Sequence, residues 1–360
     1  MKKVIGILGG SGQIGKRCIA ILKKNNNYSI LASYNKNYVS NDTNCKYVNL
    51  DVGNIEALKN FVERCDIVLN CAGASYINGE MIARVASDVG VPYIDPSGES
   101  FLEDRLEDIS NENIFILSAG YFPGLSGLML EYAAKYFDKP LSIDGFNISK
   151  EVPSYSAVED FILTNLSGFG RSLSSYLDGE IINNECRKNE LYREKNYEMY
   201  NYLTNEIVRI AKRYNLKQAN WYNCSFSERI LAKMQGVVHK VRKSDCRYYK
   251  NDIEEIITYF KNEVGNDETF SYLKICGKGM IDGKISSVEV NIDSKISSEM
   301  SAIVMCYTAI SALENNLKNG IYYAMDVLDI NRIINDIDDL NINLSIREFI
   351  EEEEYYEGEL

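Results

Sequence analysis

The chain opens on an apolar run, Val4-Ile5-Gly6-Ile7-Leu8, that leads directly into Gly10-Ser11-Gly12-Gln13-Ile14-Gly15. A strand that ends in glycines spaced two and three apart, with an amphipathic segment behind it, predicts a strand–turn–helix unit that cradles a pyrophosphate. In this pattern Gly10 permits the tight turn, Gly12 lets backbone N–H groups approach the phosphates, and Gly15 allows the helix to pack on the strand. Ser11, Gln13 and Ile14 fall in the same loop and first turn. The helix that follows carries Ile14, Cys18, Ile21 and Leu22 along one stripe and points its N-terminal N–H groups at the ligand.

The same rhythm continues for about a third of the chain. Residues 28–34, 46–50, 66–71, 92–95 and 113–117 read as short apolar strands. Between them Ile55, Leu58, Val62 and Cys65 mark one helix face, and Ile77, Met81, Ile82, Val85 and Val89 another. Alternating strands and helices predict a doubly wound parallel sheet, whose ligand lies beyond the carboxyl ends of the strands. That rule singles out the loops Gly9 to Gly15, Ser33 to Lys36, Asp51-Val52, Ala72-Gly73-Ala74, and Asp95-Pro96-Ser97-Gly98 with Gly120 to Gly124; Cys71, Ala72, Gly73, Ser97 and Gly120 are among the residues expected to line a dinucleotide.

With 360 residues the chain accommodates two domains. We expect a Rossmann domain over 1–124 and a mixed α/β domain for substrate binding or dimerisation over 125–299. Residues 300–350 are expected to pack back on the first domain, and 351–360 to form an acidic tail. In the second half, strands are expected over 141–152, 269–277 and 285–293, the last two as a hairpin, and helices over 156–166, 198–214, 226–235 and 301–317. Ser156 with Glu159 reads as a capping box.

A net charge of −13 argues against nucleic acid or an anionic membrane surface as partner. Nine scattered cysteines without a CxxC pair fit a reduced cytoplasm and no metal site. No secretory leader or membrane-spanning run is expected. At the end of the second strand stand Ser33, Tyr34, Asn35 and Lys36 in place of the acidic residue that selects NAD. NADP is therefore the expected cofactor, with NAD possible.

The order of Gly9-Gly10-Ser11-Gly12-Gln13-Ile14-Gly15, then residues 66–73, then Gly90-Val91-Pro92-Tyr93-Ile94-Asp95, then Gly120-Tyr121-Phe122-Pro123-Gly124 resembles the saccharopine dehydrogenase-like (saccharopine reductase) oxidoreductases. The resemblance is close over the first third and weaker at 219–223 and 320–329. It implies a Rossmann domain with an inserted α/β domain and NAD(P)H-dependent reduction of a C=N bond in an amino-acid-like substrate, giving a secondary amine, or the reverse oxidation. It also implies a division of labour among residues: Gly10 to Gly15 hold the pyrophosphate, Asn35 and Lys36 the adenosine end, Asn70, Cys71, Ala72 and Gly73 line the nicotinamide ribose, and Pro123 and Gly124 form the floor beneath substrate, with Phe122 beside them on the substrate side. A homodimer is expected.

No Tyr-x-x-x-Lys pair occurs among the 26 tyrosines, which closes the short-chain dehydrogenase route, and there is no nucleophile elbow. The lone histidine, His239, is most simply structural. Candidates for the proton donor are Tyr121, Lys150, Glu151 and Tyr155, with Glu159 and Arg171 on the substrate side. Lys150, beside a helix start, would suit an anionic group. Alternatives are a nucleotide-sensing protein without turnover and a ketone or enoyl reductase.

Overall fold

The structure is a computed structural model, and it describes residues 2–36, 40, 44–99, 101–166, 170–224, 226–243, 249–336, 340 and 342–350. The expected acidic tail, 351–360, lies outside the described residues.

Six strands alternate with helices in the first part of the chain: β1 (Lys3–Leu8), β2 (Tyr28–Tyr34), β3 (Cys45–Asn49), β4 (Ile67–Asn70), β5 (Tyr93–Ile94) and β6 (Ile114–Leu117). They pair in the order β3-β2-β1-β4-β5-β6, all parallel. This is the doubly wound order, in which the chain reverses direction beside β1 and opens a crevice between the loops after β1 and β4. Both faces are covered. Ile5, Ile7, Ile67 and Leu69 face one core, and Leu8, Leu31, Val68, Tyr93 and Phe115 face another. The expected helix stripes are partly buried. Cys18 and Leu22 are covered, as is Ile19, whereas Ile55 and Ile77 are about half exposed at the starts of their helices.

The remaining strands are β7 (Lys139–Lys150), β8 (Gly170–Ser172), β9 (Ser174–Leu177), β10 (Glu180–Asn183), β11 (Arg187–Tyr192), β12 (Lys195–Thr204), β13 (Gln218–Cys224), β14 (Phe270–Ile281), β15 (Lys284–Ser294), β16 (Gly320–Tyr323) and β17 (Asn343–Ile350). Most form a second sheet in the order β10-β9-β13-β7-β14-β15-β17, with β12 bridging β13 to β8 and β11. The expected hairpin is present, turning at Asp282-Gly283 with Gly283 at φ 78°.

Two expectations are corrected. The stretch 198–214 is half strand: Met199, Asn201 and Leu203 are buried in strict alternation along β12, and period two outweighs the helical reading. The helix begins only at Asn205 and runs to Arg213, capped by Thr204. Residues 170–192, where the pattern predicts no element, form four short strands, of which only Arg187–Tyr192 alternates between exposed and half-buried residues.

The last part of the chain returns to both sheets. The helix Ser297–Glu314 lies against Gln13–Lys23, where the Cys18 thiol meets the Ala302 carbonyl at 3.8 Å and the Cys306 thiol the Cys18 carbonyl at 3.6 Å. Residues 300–311 of this helix are buried within the protomer, so its apolar faces belong to the core. Strand β16 then extends the first sheet beside β6, and β17 closes the edge of the second.

Candidate active site

The glycine turn is built from backbone approach. Gly9, not Gly10, takes the positive φ, at 74°. Gly10 sits where a Cβ would lie 2.8 Å from that of Ala32, and its amide donates to the Ser33 carbonyl at 2.7 Å. At Gly15 a Cβ would stand 2.4 Å from the Gly9 carbonyl oxygen, so this glycine lets the helix close on the turn itself. Gly12 differs: its nearest neighbours are backbone oxygens at 3.1 and 3.6 Å. Only there does the missing side chain serve space outside the fold.

Ser33 is buried, and its hydroxyl accepts the Gly9 amide at 3.0 Å. It fastens the turn to β2 and is not presented to a ribose. Asn35 and Lys36 follow, both exposed, with the Asn35 carbonyl held by Asn49 at 2.9 Å. Asp51 is exposed with Oδ1 on the Gly53 amide at 3.0 Å, while Val52 packs into the core beneath the sheet.

Asn70 is buried. Its amide donates to Tyr93 at 2.9 Å and to Asp95 at 3.0 Å, the Tyr93 hydroxyl donates to the same carboxylate, and Asp95 in turn accepts the Ser97 amide at 2.9 Å. Asn70 thus braces the loops after β4 and β5 instead of lining a ribose directly. Cys71 packs its sulfur 3.8 Å from that of Met305. Its bond to Cys18 and its burial hold the thiol well above its ordinary pKa, so it stays protonated.

Beyond these strand ends lies a cleft of about 310 Å³ between the two sheets. Gln13, Ile14, Gly73 and Ser97 come from the dinucleotide side, Gly120 to Pro123 from the loop after β6, and Glu151 to Ser154 with Asp160 and Thr164 from the second domain. Ser297, Ser298 and Ser301 complete it from the start of the long helix. Phe122 stacks on Trp221 at 4.9 Å and 9°, and Gly124, at φ 130°, donates to Glu206 at 2.9 Å. A separate cavity of about 220 Å³ beside Tyr132, Tyr136 and Asp329 takes no residue from the glycine turn.

The proton-donor candidates separate here. Tyr121 lines the cleft, but its hydroxyl donates to Asn147 at 2.9 Å, and burial beside Glu151 pushes its pKa well up. Glu151 also lines the cleft. Its carboxylate accepts Ser271 Oγ at 3.2 Å and the Ser297 amide at 3.1 Å, and burial raises its pKa against those bonds. Lys150 lies outside the lining: alternation turns it to the other face of β7, where it pairs with Asp267. Tyr155 and Glu159 face the helical layer, with Glu159 accepting the Tyr249 hydroxyl at 3.1 Å. Arg171 is exposed on β8 and also outside the lining. The anionic subsite expected around Lys150 is therefore not assembled. His239 is exposed on the helix Glu228–Lys243.

Asp160 is the residue that sequence reasoning missed. The helix Tyr155–Thr164 starts behind Ser154, which accepts the Ala157 amide at 3.2 Å, so Ser154 and not Ser156 is the cap. One residue along that helix is a rotation of about 100°, which turns Glu159 to the helical layer and Asp160 to the cleft. Asp160 accepts the Tyr76 amide at 2.9 Å, from the first domain. Burial pushes its pKa up to about 7, with Tyr76 and Ser97 opposing and Asp95 and Glu159 adding to the rise.

Fold and cleft together define a Rossmann-type parallel sheet with a second, mixed-sheet domain beside its strand mouth. Residues 5–114 match the family model described as saccharopine dehydrogenase NADP binding domain. That stretch, about a third of the chain, is thus similar to the NADP-binding domain of saccharopine dehydrogenases, as the resemblance implied. Among solved structures, the apo histidine-tagged saccharopine dehydrogenase (L-Glu forming) from Saccharomyces cerevisiae is similar across 96% of this chain and 100% of its own, at 12% identity and TM-score 0.64. At that identity the likeness speaks for the fold, both domains included. A dehydrogenase (MviM) from Clostridium difficile overlaps 94% of this chain and 99% of its own at 10% identity, with TM-score 0.44. Among curated proteins no match is found. No helix among the described residues is long and apolar enough to cross a membrane.

Proposed function

We propose that this protein is an NADP-dependent oxidoreductase that reduces the C=N bond of an imine on an amino-acid-like substrate to a secondary amine, or runs the reverse oxidation. The observation that carries the reading is the position of the cleft: it joins Gln13 and Ile14 of the glycine turn to the carboxylates of the second domain. The chain's residues fit the coenzyme. Gly12 leaves room for a pyrophosphate over the helix start, and exposed Lys36 offers charge to a 2′-phosphate at the end of β2. Bound there, the nicotinamide supplies hydride chemistry. The protein's own part is to orient the reacting carbon, to exclude water behind Phe122 and Trp221, and to hold a proton at the cleft wall.

Scattered cysteines without a CxxC pair favour a reducing cytoplasm, and we extend the reading to a homodimer, which sedimentation tests. The functional test is to titrate NADPH and NADH by calorimetry and then follow oxidation of the reduced nicotinamide in mixtures of amines with keto acids and aldehydes. Preferential NADPH binding with oxidation that requires both amine and carbonyl is expected. Oxidation with carbonyl alone would make it a ketone reductase, and tight binding without turnover would make it a sensor.

A further inference from the structure

One side chain of the cleft is without a partner among the described residues, and a second keeps acceptor capacity beyond the bonds that hold it. Ser298 lines it and is 7% exposed, yet its hydroxyl has no hydrogen-bond partner among the described residues. A buried hydroxyl left in that condition is costly and points to a ligand group that completes it. Asp160, from the second domain, accepts the Tyr76 amide and a bond from the Ser97 side chain, and a carboxylate, with about four lone-pair sites, has further capacity to offer. The cleft's other carboxylate, Glu151, is committed to Ser271 and Ser297. The ionisable side chains among its described lining residues are thus two acids and Tyr121. A substrate carboxylate placed among them meets like charge in a poorly solvated space, whereas an ammonium or iminium meets its counter-ion.

We propose that the cleft recognises its substrate by a cationic nitrogen, an ammonium or iminium group, with Asp160 as counter-ion and proton-exchanging group and Ser298 as its hydrogen-bonding partner. The proton step rests on the oxidoreductase reading; the recognition does not. Asp160 gives its proton to the imine nitrogen and leaves a carboxylate facing an iminium. A reduced nicotinamide held at the glycine turn would supply the hydride for the C–H bond and be oxidised in doing so, the C=N π pair becoming the amine lone pair, and solvent water would return the proton to Asp160. Burial of Asp160 keeps both of its forms accessible near neutrality.

The experiment is calorimetry of 1,4-diaminobutane and of glutarate against the full chain, with and without saturating NADP, for the wild type, Asp160→Asn and Ser298→Ala. The diamine is expected to bind and glutarate not. Asp160→Asn is expected to weaken the diamine at least about tenfold, and Ser298→Ala about threefold, while NADP affinity stays within about twofold. Tighter binding of glutarate than of the diamine overturns the proposal, and so does a diamine affinity unchanged by Asp160→Asn. The wild-type comparison stands even if a variant does not fold. Absence of NADP binding with the diamine result intact would instead overturn the oxidoreductase reading.

Discussion

The carboxylate of Glu151 accepts the backbone amide of Ser297 at 3.1 Å. Glu151 follows directly on β7 in the second sheet, and Ser297 opens the long helix that lies on the glycine-turn helix of the first. A carboxylate at a helix N-terminus satisfies an orphan amide and meets the positive end of the dipole. This single bond therefore ties the wall of the cleft to the element behind the dinucleotide turn.

Replacing Glu151 by Ala leaves the Ser297 amide and the Ser271 hydroxyl without their acceptor. A loss of ~1–3 kcal/mol is expected, read as a lower urea midpoint at an unchanged slope. An unchanged midpoint would show that water replaces the carboxylate without cost and that the two domains are coupled elsewhere.

The glycines of the turn make opposite predictions. A Cβ at Gly15 falls 2.4 Å from a backbone oxygen, so Gly15→Ala must move the turn and is expected to cost about 1–3 kcal/mol or more of stability. At Gly12 the nearest atom is 3.1 Å away, so Gly12→Ala is expected to keep the thermal midpoint within a few degrees. Its NADP affinity should nevertheless fall about tenfold or more, because the methyl group stands where the phosphates approach. Equal losses of stability in both variants would remove the distinction.

How much of this was legible follows from the reach of each signal. The parallel sheet covered on both faces was readable because apolar strands and helix stripes repeat locally, and the glycine spacing marks the turn whatever packs on it. The same signals misassign Gly10, since the φ of 74° falls on Gly9, a residue outside the motif. Ser33 and Asn70 read as ligand-facing because they stand at strand ends, but each is turned inward to brace a loop, a choice made by the partners Gly9 and Asp95. Asp160 was invisible for a related reason. Adjacent acids on a helix look alike in sequence, and only the placement of Tyr76 and Ser97 from the other domain decides which of Glu159 and Asp160 faces the cleft. Lys150 was misplaced by the same uncertainty about facing along β7.

Lys36 is exposed at the end of β2, where the ribose of a dinucleotide is read. Lys36→Glu is expected to weaken NADP by about tenfold or more, through lost attraction and new repulsion, and to leave NAD nearly unchanged or slightly improved. Calorimetry with both coenzymes decides it. Equal weakening of the two would place the adenosine end elsewhere.

Glu206 is 1% exposed, accepts the Gly124 amide at 2.9 Å and the Ser126 hydroxyl, and stands beside buried Glu99. Burial pushes its pKa up to about 7, with the bonds from Ser126, Gly124 and Gly127 opposing. An unfolded glutamate releases its proton near pH 4.3, so between that value and about pH 7 the folded chain holds a proton that the unfolded chain has lost. Stability is then highest below the unfolded value and falls as pH rises through the folded one. Glu206→Gln keeps an acceptor for Gly124 and removes the titration, so its urea midpoint should decline less between about pH 5 and 8 than that of the wild type. Glu99, raised by burial and by Glu206, contributes to the slope that remains, together with Asp160 and Glu151, both raised by burial. A midpoint that falls equally in both proteins over that range would show that Glu206 ionises at no cost to the fold.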